Sequence, residues 1–591
     1  MSKMRSLALV SLLAWPLSAC DDDEDRILPS DAALPGTSDG GVPDAGGDAA
    51  PAVACPTSLV GATVVADSIA TPTTWSGLVS VTKAVTVRQG GSLTILPGTT
   101  VVMAVDSDLE IGWNSGVATV KAEGTAAAPI TFCGANPVPG GWKGISVQRN
   151  VTSDSAFRYV NILHTGGAMT PGLSLVGVAT IQNVSVSDGS ADGVHAADFA
   201  AGSAGLSVQR MGGRPVVLTA PGAFTNFPLG GILTGNGNDT VPVRFDSIAV
   251  NTTIHKLPIP YVQESKVIIR DTNTVVIEAG VQYHFAADAE LEVGWNSTDP
   301  TFTVAGTVAE PVVFRGVSAT PGFWKGLIIE RNVRTASSLN HVQIWHGGGG
   351  TGVDVAALEV LAAIKLDNVT LNGNKAGVRI GQQGLAATST MVTVTGTQGV
   401  PATIAPEAWV TLPVDGSFTG NMIDQITVKG DSFAKVGTIK RANVPYFISE
   451  TIRFVNDSAV TIEAGNQFIA GSDVKLEFGW NSGMMTLTAV GTVAAPIVFR
   501  GAADTVGFWE GIVLERNVRT DSKLDHVQVS HAGKMGGAAL TIQGNNAPFI
   551  PVTNSRFSKS AGFGIRKAAA NTNTYIETNT FEATAGTVGT L

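Results

Sequence analysis

Three glutamates and three arginines that recur at matching places are the residues of this sequence best suited to acid–base chemistry; they are Glu110, Glu292, Glu477, Arg149, Arg331 and Arg516. Each glutamate stands between two apolar residues, so strand alternation turns its carboxylate outward and its neighbours inward. Such a pair could carry acid chemistry. The same pair could instead serve packing between coils, and its threefold repetition favours packing. We therefore expect no catalytic residue.

Six tryptophans recur in the same way and are candidate ligand contacts: Trp113, Trp142, Trp295, Trp324, Trp480 and Trp509. Trp113, Trp295 and Trp480 head the same Trp-Asn-Ser tripeptide. The other three lie between glycines. Flat aromatic faces suit the C–H surface of sugars, and equivalent sites repeated along the chain would suit a repeating polymer. The alternative is that Trp142, Trp324 and Trp509 fill a wide corner of the fold.

Metal ligation is not predicted. His341 with His346, and His526 with His531, are five residues apart, and this odd offset points the two rings of a strand to opposite faces. No Cys-x-x-Cys pair occurs in the sequence, and no Asp-x-Asp-x-Asp loop occurs in the predicted coils. We expect structural histidines, no metal and no cofactor.

The elements that position these residues form a triplicated all-β chain. Glycine is frequent, at 69 of 591 residues, and Val, Thr, Ile and Asn recur in short alternating runs. The stretch 322–335 recurs at 507–520 and, more loosely, at 141–152. The Trp-Asn-Ser tripeptides are 182 and 185 residues apart. The sequence therefore predicts three tandem units of about 183 residues, over 55–240, 241–425 and 426–591.

Each unit is expected to be a β-solenoid with coils of about 23–25 residues. In the third unit the pattern predicts, among others, strands at 475–478, 511–514, 524–529 and 551–557. Asn183, Asn368 and Asn554 recur at matching strand entries, and asparagine tolerates the left-handed backbone of a sharp corner. We expect these three residues to form coil corners.

A succession of motifs carries a family resemblance. Residues 306–314 and 491–499 each lead into a Gly-Phe-Trp-x-Gly line, and a Leu-x-His-Val-Gln strand follows. This succession, over about 56–591, resembles the right-handed parallel β-helix repeats of bacterial cell-envelope lipoproteins, a fold shared with pectate lyases. The resemblance implies a right-handed parallel β-helix. It implies no activity, because the family includes enzymes, adhesins and proteins of unassigned role.

The N-terminus predicts a lipid anchor. Residues 1–20 have the form of a secretory leader, with Lys3 and Arg5 before an apolar run. The leader ends in Leu-Ser-Ala-Cys, which resembles a lipobox with Cys20 as the lipidated residue; the alternative is an ordinary signal peptide with an incidental cysteine. Residues 21–54 hold nine acids among Pro, Gly and Ala and are expected to be a disordered linker. The expected location is the outer membrane, with the leaflet left open.

The other two cysteines, Cys55 and Cys133, are a candidate disulfide. Export of the chain would permit the bond, which would tie the start of the first unit to its body. Two unpaired thiols are the alternative.

Charge excludes one class of partner and leaves two classes of function. The net charge is −11 and no basic footprint for nucleic acid occurs. One class is a non-catalytic, lipid-anchored surface scaffold or adhesin-like protein that binds polysaccharide or an envelope protein. The other is a polysaccharide lyase or glycoside hydrolase, and the resemblance to pectate lyases would then suggest an arginine base. Features that come in threes favour the binding protein.

Overall fold

Short parallel strands build the described part of the chain. The computed structural model describes residues 55–591 except 114–115, 297, 353–354, 482 and 545–547; the predicted leader, Cys20 and linker lie outside this part. Within it, 52 strands pair in parallel, with one short helix, α1 (Gly222–Thr225), and three 3-10 turns, at Gly167–Met169, Pro406–Val410 and Lys534–Gly536. The predicted all-β parallel β-helix is confirmed.

The first predicted unit contains strands β1 (Thr63–Val65), β2 (Thr73–Trp75), β3 (Leu78–Val81), β4 (Val85–Val87), β5 (Ser92–Ile95), β6 (Thr100–Met103), β7 (Asp108–Ile111), β8 (Thr119–Glu123), β9 (Ile130–Gly134), β10 (Gly144–Val147), β11 (Ala156–Leu163), β12 (Leu173–Leu175), β13 (Thr180–Ser187), β14 (Val194–Ala196), β15 (Ser207–Gln209) and β16 (Val216–Leu218).

The second contains β17 (Val241–Val243), β18 (Ser247–Ile248), β19 (Thr252–Ile254), β20 (Tyr261–Gln263), β21 (Val267–Ile269), β22 (Thr274–Ile277), β23 (Gln282–Phe285), β24 (Glu290–Val293), β25 (Thr301–Ala305), β26 (Val312–Gly316), β27 (Gly326–Ile329), β28 (Ser338–Trp345), β29 (Leu358–Val360), β30 (Lys365–Asn372), β31 (Val378–Ile380), β32 (Thr390–Thr395) and β33 (Ala402–Ile404).

The third contains β34 (Ile426–Val428), β35 (Ser432–Phe433), β36 (Val436–Ile439), β37 (Tyr446–Ile448), β38 (Ile452–Phe454), β39 (Ala459–Ile462), β40 (Gln467–Ala470), β41 (Lys475–Phe478), β42 (Thr486–Val490), β43 (Ile497–Gly501), β44 (Gly511–Leu514), β45 (Lys523–Asp525), β46 (Val527–Ser530), β47 (Ala538–Ile542), β48 (Val552–Thr553), β49 (Arg556–Ser558), β50 (Phe563–Lys567), β51 (Thr580–Glu582) and β52 (Gly586–Thr590).

A three-sided coil follows from the strand pairing. β22 pairs with β25, β23 with β26, and β24 with β27, so each turn of the chain adds one strand to each of three parallel ladders. The first two ladders meet at β28 and belong to the 16-stranded sheet, and the third belongs to the 14-stranded sheet. Inward residues of successive coils stack. Tyr261, Tyr283 and Phe314 are register partners in this way, and all three rings are buried. The core is therefore one continuous column of apolar side chains.

Coil length varies more than the sequence pattern predicts. The register partners Leu358 and Val378 are 20 residues apart, whereas Leu291 and Leu327 are 36 apart. The longer coil carries the second Trp-Asn-Ser loop and the line that leads to Trp324. The extra residues of the longer coil therefore form loops at its corners, and the pairing of the strands is unchanged.

The predicted asparagine corners are confirmed. Asn183, Asn368 and Asn554 have φ of 52°, 54° and 50°, in the left-handed region. His341 and His526 adopt the same conformation, with φ of 48° and 52°. The strands expected at 524–529 and 551–557 are each interrupted at such a residue.

The strand ladders cross both predicted unit boundaries, but beyond each boundary a ladder continues in strands that are not the sequence equivalents of its earlier strands. The ladder β7–β10–β12–β14–β16 continues through β17 into β20 and β23, although β24 is the sequence equivalent of β7. The ladder β24–β27–β29–β31–β33 continues likewise through β34 into β37 and β40. Equivalent strands of successive units therefore belong to different sheets. The division into three units stays a prediction.

Candidate functional site

Three exposed tryptophans lie in loops that directly follow equivalent strands of the three predicted units. Trp113, Trp295 and Trp480 follow β7, β24 and β41 and are 47%, 45% and 41% exposed. They are the only tryptophans among the large exposed apolar side chains of the described residues. Each indole therefore leaves much of its aromatic face open to solvent and stays a candidate ligand contact.

A glycine before each tryptophan brings its loop onto the next coil. Gly294 has a φ of +98°, and a Cβ there would lie 2.7 Å from a methyl of Val333. Gly479 has a φ of +81°, and its Cβ would lie 2.9 Å from the backbone nitrogen of Val518. Both the backbone conformation and the close contact require glycine.

The Arg-Asn-Val motif of the following coil holds the same loop. The Asn332 side-chain amide donates to the carbonyl of Thr298, and that of Asn517 donates to the carbonyl of Asn481 at 3.1 Å. The spacing between the Trp-Asn-Ser tripeptide and this motif therefore has a structural cause, since the two segments lie on adjacent coils. The loops that carry Trp295 and Trp480 are therefore each held by a side chain of the following coil.

A cation lies over two of the three indoles. Lys266 Nζ is 5.5 Å from the ring centre of Trp295, and the Arg453 guanidinium carbon is 5.3 Å from that of Trp480. Lys266 also bonds to Glu290, at 2.7 Å, and to Glu292. Burial opposes the positive charge of Lys266, but these two carboxylates outweigh it and raise its pKa. Cation–π contacts of this kind orient the ring.

Paired carboxylates lie beside the second and third indoles. Glu292 and Glu477 are each only 3% exposed although they face outward. Burial and the neighbouring charge of Glu292 raise the pKa of Glu330, and burial with Glu477 raises that of Glu515 in the same way. Glu330 and Glu515 stand directly before the Arg-Asn-Val motifs in the sequence. Only the register of the strands shows that they lie next to Glu292 and Glu477.

The first unit replaces one acid of this pair by an amide. Gln148 follows β10 where Glu330 follows β27, and its Nε2 donates to Glu110 at 3.0 Å. Burial raises the pKa of Glu110, and the hydrogen bond from the Gln148 side chain offsets part of this rise. The geometry thus accommodates either a second carboxyl group or a neutral amide at this position.

This substitution predicts a pH-dependent effect of Glu330→Gln. A carboxyl whose pKa is raised above 4.5 binds its proton more tightly in the folded state, so its contribution to stability is full below pH 4.5 and is lost as pH rises through the folded pKa. We expect the variant to unfold at a higher temperature than the natural chain at pH 7. The difference should vanish near pH 4, as followed by circular dichroism.

The matched control is Glu450→Gln, which removes an exposed carboxylate. We expect no comparable change in unfolding temperature between pH 4 and 7. An unfolding temperature of the Glu330→Gln variant below that of the natural chain at pH 7 would contradict the paired arrangement.

The Trp295 site contains a cavity of about 360 Å³, and we call it the Trp295 shelf. It is lined by Glu292, Gly294, Trp295, Asn296, Glu330, Arg331 and Asn332. It offers an aromatic face, two carboxyl groups and a guanidinium group within one open depression. Such a mixture suits a ligand with both C–H faces and hydroxyl groups.

Trp142, Trp324 and Trp509 are not ligand contacts, which corrects the expectation for these three of the six tryptophans. Each is fully buried, and its indole N–H donates to a backbone carbonyl, at 2.7 Å, 2.8 Å and 2.9 Å respectively. They fill the coil interior, as the packing alternative held. The glycine two residues after each ring lets the strand that begins there approach the next coil, because a Cβ on Gly144, Gly326 or Gly511 would lie 2.5 Å from a backbone carbonyl oxygen of that coil.

The three exposed indoles do not line one surface. The strands that precede Trp113, Trp295 and Trp480 belong to a 16-stranded, a 14-stranded and a 7-stranded sheet respectively. One straight polymer therefore cannot be expected to lie across all three, contrary to the inference from their regular spacing. Each indole belongs to a separate site.

The remaining predicted site residues fall into two groups. Cys55 and Cys133 are brought together with a Cα–Cα distance of 6.2 Å, within the range that a disulfide requires. Cys20 lies outside the described residues. Among the residues described, no group of three or more His, Cys, Asp or Glu side chains is arranged to hold a metal ion, and no helix has the length and apolarity to cross a bilayer.

Comparison with known proteins adds no family. No protein-family model matches the sequence, and neither a curated protein nor a solved structure matches it.

Proposed function

We propose that this chain is a non-catalytic binder of carbohydrate polymers, of the surface-scaffold or adhesin type. The observation that supports it is the exposure of Trp113, Trp295 and Trp480, of which the last two lie on loops that a neighbouring coil holds by a hydrogen bond. An indole held rigid before binding loses little conformational entropy when a sugar ring stacks on it. The adjacent carboxyl and amide groups are suited to accept and donate hydrogen bonds with hydroxyl groups.

The arrangement of the three indoles favours a scaffold. Because they follow strands of different sheets, three polymer chains could be held at once. Several weak sites on one body act together, since the second contact is intramolecular once the first has formed. A protein of this kind would cross-link polymer chains or fasten the cell envelope to a polysaccharide layer.

We propose that the chain is held at the outer membrane as a lipoprotein with a right-handed β-helix, in keeping with the sequence resemblance. The leader that ends at Cys20 supports this location, and the leaflet is left open. Membrane fractionation of a Cys20→Ala variant tests the anchor. Recovery of the processed variant in the membrane fraction, at the level of the natural chain, would contradict it.

Replacing the exposed tryptophans is expected to abolish carbohydrate binding one site at a time. A glycan array identifies a soluble oligosaccharide, and calorimetric titration then counts its sites on the full-length chain in detergent. Trp295→Ala should weaken binding at one of the three sites by about 2 kcal/mol, which is roughly 30-fold in affinity. The titration should then count two sites of the original affinity. Replacement of Trp113, Trp295 and Trp480 together should remove all measurable binding.

The control for this titration is Met535→Ala, which removes an exposed apolar side chain elsewhere. We expect its site count and affinity to equal those of the natural chain. Unchanged binding by the triple tryptophan variant would reject the proposed function.

The acid pair on the Trp295 shelf favours a glycoside hydrolase as the second candidate. A carboxyl with a raised pKa beside a second carboxylate is the arrangement that general acid catalysis uses. Glu330 and Glu292 have this relation next to an exposed ring. Release of reducing sugar ends that Glu330→Gln abolishes would establish this candidate in place of the non-catalytic one.

A further inference from the structure

A serine, a histidine and an aspartate come together on the outer surface of the third predicted unit. Ser530 Oγ lies 3.2 Å from His531 Nδ1, and His531 Nε2 lies 2.9 Å from Asp504 Oδ1. Ser530 ends β46, His531 follows it in left-handed backbone with a φ of 61°, and Asp504 lies in the loop after β43. The three side chains therefore form one chain of hydrogen bonds from hydroxyl to imidazole to carboxylate.

The two bonds of His531 decide which ring nitrogen holds the proton. An ionised Asp504 can only accept, so Nε2 donates to it, and Nδ1 keeps the lone pair that accepts the Ser530 hydroxyl. Lys559 also bonds to Asp504, and Lys559 together with His531 lowers the pKa of this exposed carboxyl. In this arrangement an imidazole can take the proton of a serine that attacks a carbonyl carbon.

Arg500 supplies a positive charge beside Ser530. The two residues are register partners on β43 and β46, so their side chains leave the same face of the sheet from strands about 4.8 Å apart. The guanidinium group donates to the carbonyl of Gly501 at 3.3 Å, and Arg500 makes no ion pair with any residue that the structure describes. Because the group has five N–H donors, others remain for an oxyanion that forms at the carbonyl attacked by Ser530.

The serine and the aspartate are particular to the third predicted unit. In the first two units a leucine and a tryptophan precede the equivalent histidine, and a proline and an alanine stand where the third unit has Asp504. The equivalents are Leu163, His164 and Pro137 in the first unit, and Trp345, His346 and Ala319 in the second. The coil closes without a serine or an aspartate at these places, so packing of the coils does not require them.

The openness of the site indicates the class of substrate. Ser530 is half-buried on an outward sheet face, and the Asp504 side chain is 74% exposed. A site that is open to solvent on this side suits a bulky polymer that presents a small acyl group at its surface. An ester is favoured over an amide, because an alcohol leaves a tetrahedral intermediate more readily than an amine does.

We propose that Ser530, His531 and Arg500 form a catalytic site that hydrolyses esters of small carboxylic acids, such as acetyl groups on the hydroxyl groups of a polysaccharide. Ser530 Oγ attacks the acyl carbon while its proton passes to His531 Nδ1, and Arg500 stabilises the oxyanion. The alcohol leaves with that proton. Water then attacks the acyl-serine with His531 as the base again, which releases the acid and regenerates Ser530.

This inference goes beyond the proposed function, which assigns the chain binding sites and no catalytic residue. Asp504 does not touch the substrate and is a positioning residue, because it holds the proton of His531 on Nε2.

The first test follows release of 4-nitrophenol from 4-nitrophenyl acetate by the full-length chain in detergent. Ser530→Ala should lower kcat/KM by at least about 100-fold, and so should His531→Asn, since asparagine tolerates left-handed backbone. The matched control is Ser558→Ala. Ser558 is the register partner of Ser530 on the next strand of the same face, and its replacement should leave the rate unchanged. A fluorophosphonate should label Ser530 in the natural chain, as peptide mass spectrometry shows.

The second test separates the roles of Arg500 and Asp504. Arg500→Gln should lower kcat by about 100-fold with little change in KM, because the oxyanion exists only during the reaction. Asp504→Asn should also lower kcat, and Asp504→Glu should restore part of the rate. Lys559→Gln removes the other partner of Asp504 and should keep the rate within about twofold. Equal losses in Lys559→Gln and Asp504→Asn would contradict the positioning of His531.

Two results would overturn the inference. One is a rate for Ser530→Ala equal to that of the natural chain, with circular dichroism verifying that the variant folds. The other is a fluorophosphonate label on a residue other than Ser530. Release of acetate from an acetylated polysaccharide by the natural chain and not by Ser530→Ala supports the substrate class, and its absence rejects that class. Carbohydrate binding at the exposed tryptophans is measured without this reaction, so the proposed function stands or fails separately.

Discussion

Replacement of Trp324 by alanine is expected to lower the free energy of unfolding of the surrounding coils by about 3–5 kcal/mol. The indole is fully buried and stacks on Phe285 with ring centres 3.9 Å apart and planes 3° apart. Its Nε1–H donates to the carbonyl of Trp345 at 2.8 Å. Removal of the ring leaves a cavity between coils and an unsatisfied buried carbonyl, and both cost free energy.

The loss should be local, because each coil of a solenoid contacts only its neighbours. Hydrogen exchange should therefore show reduced protection in β23, β26 and β28, while β6 and β9 keep theirs. The control is Trp295→Ala, whose side chain is 45% exposed and whose effect on stability should stay within about 0.5 kcal/mol. Equal effects of the two variants would contradict the assignment of Trp324 to the core and Trp295 to the surface.

The architecture could be predicted because short local sequence patterns determine its strands and corners. Alternation of apolar and polar residues predicts a strand, and β41 and β44 have the predicted bounds, Lys475–Phe478 and Gly511–Leu514. Asparagine predicts a corner because its side chain tolerates left-handed backbone. His526 adopts the same conformation, but histidine at this position carries no comparable signal, so the interruption of the strand there was not foreseen.

The candidate site depended on longer-range information. Equivalent motifs predict equivalent loops, and the Trp-Asn-Ser loops do lie at the ends of equivalent strands. Which sheet each strand joins is decided by the connection at the unit boundary, through β17 and β34, and the motifs do not encode it. The pairing of Glu292 with Glu330 has the same origin. These residues are 38 positions apart in the sequence, and only the register of β24 with β27 brings them together.

One cavity of the 14-stranded sheet, lined by Arg331, Arg379 and Lys429 among others, also lay beyond the repeats. Arg331 belongs to a recurring motif, but Arg379 and Lys429 were not among the residues that repetition selected. The stacking of β27 to β34 brings all three to one cavity. Repetition therefore identified the parts that hold the coils together and the exposed indoles, whereas the charged surroundings of the Trp295 shelf required the fold.

Reduction of a bond between Cys55 and Cys133 is the second change expected to have a large effect. The two residues are 78 positions apart, and closure of a loop of this length stabilises the folded state by about 4 kcal/mol in the chain-entropy model. Cys133 is fully buried and packs with Val102 and Leu163, so the bond would fasten the start of the chain to the first coils. Later coils have no equivalent bond, since Arg315 and Arg500 take the place of Cys133.

Hydrogen exchange with and without reductant measures this effect on the exported protein. Protection should fall in β1, β3 and β6, which form the ladder next to Cys133, and should persist in β40 and β43. The Cys55→Ser variant should reproduce the reduced pattern without reductant, and adding reductant should then change nothing further. A thiol titration that finds Cys55 and Cys133 both free in the oxidised, exported chain would contradict the bond. The terminal coils would then depend on burial alone for their stability, because a coil at the end of a solenoid has a neighbour on only one side.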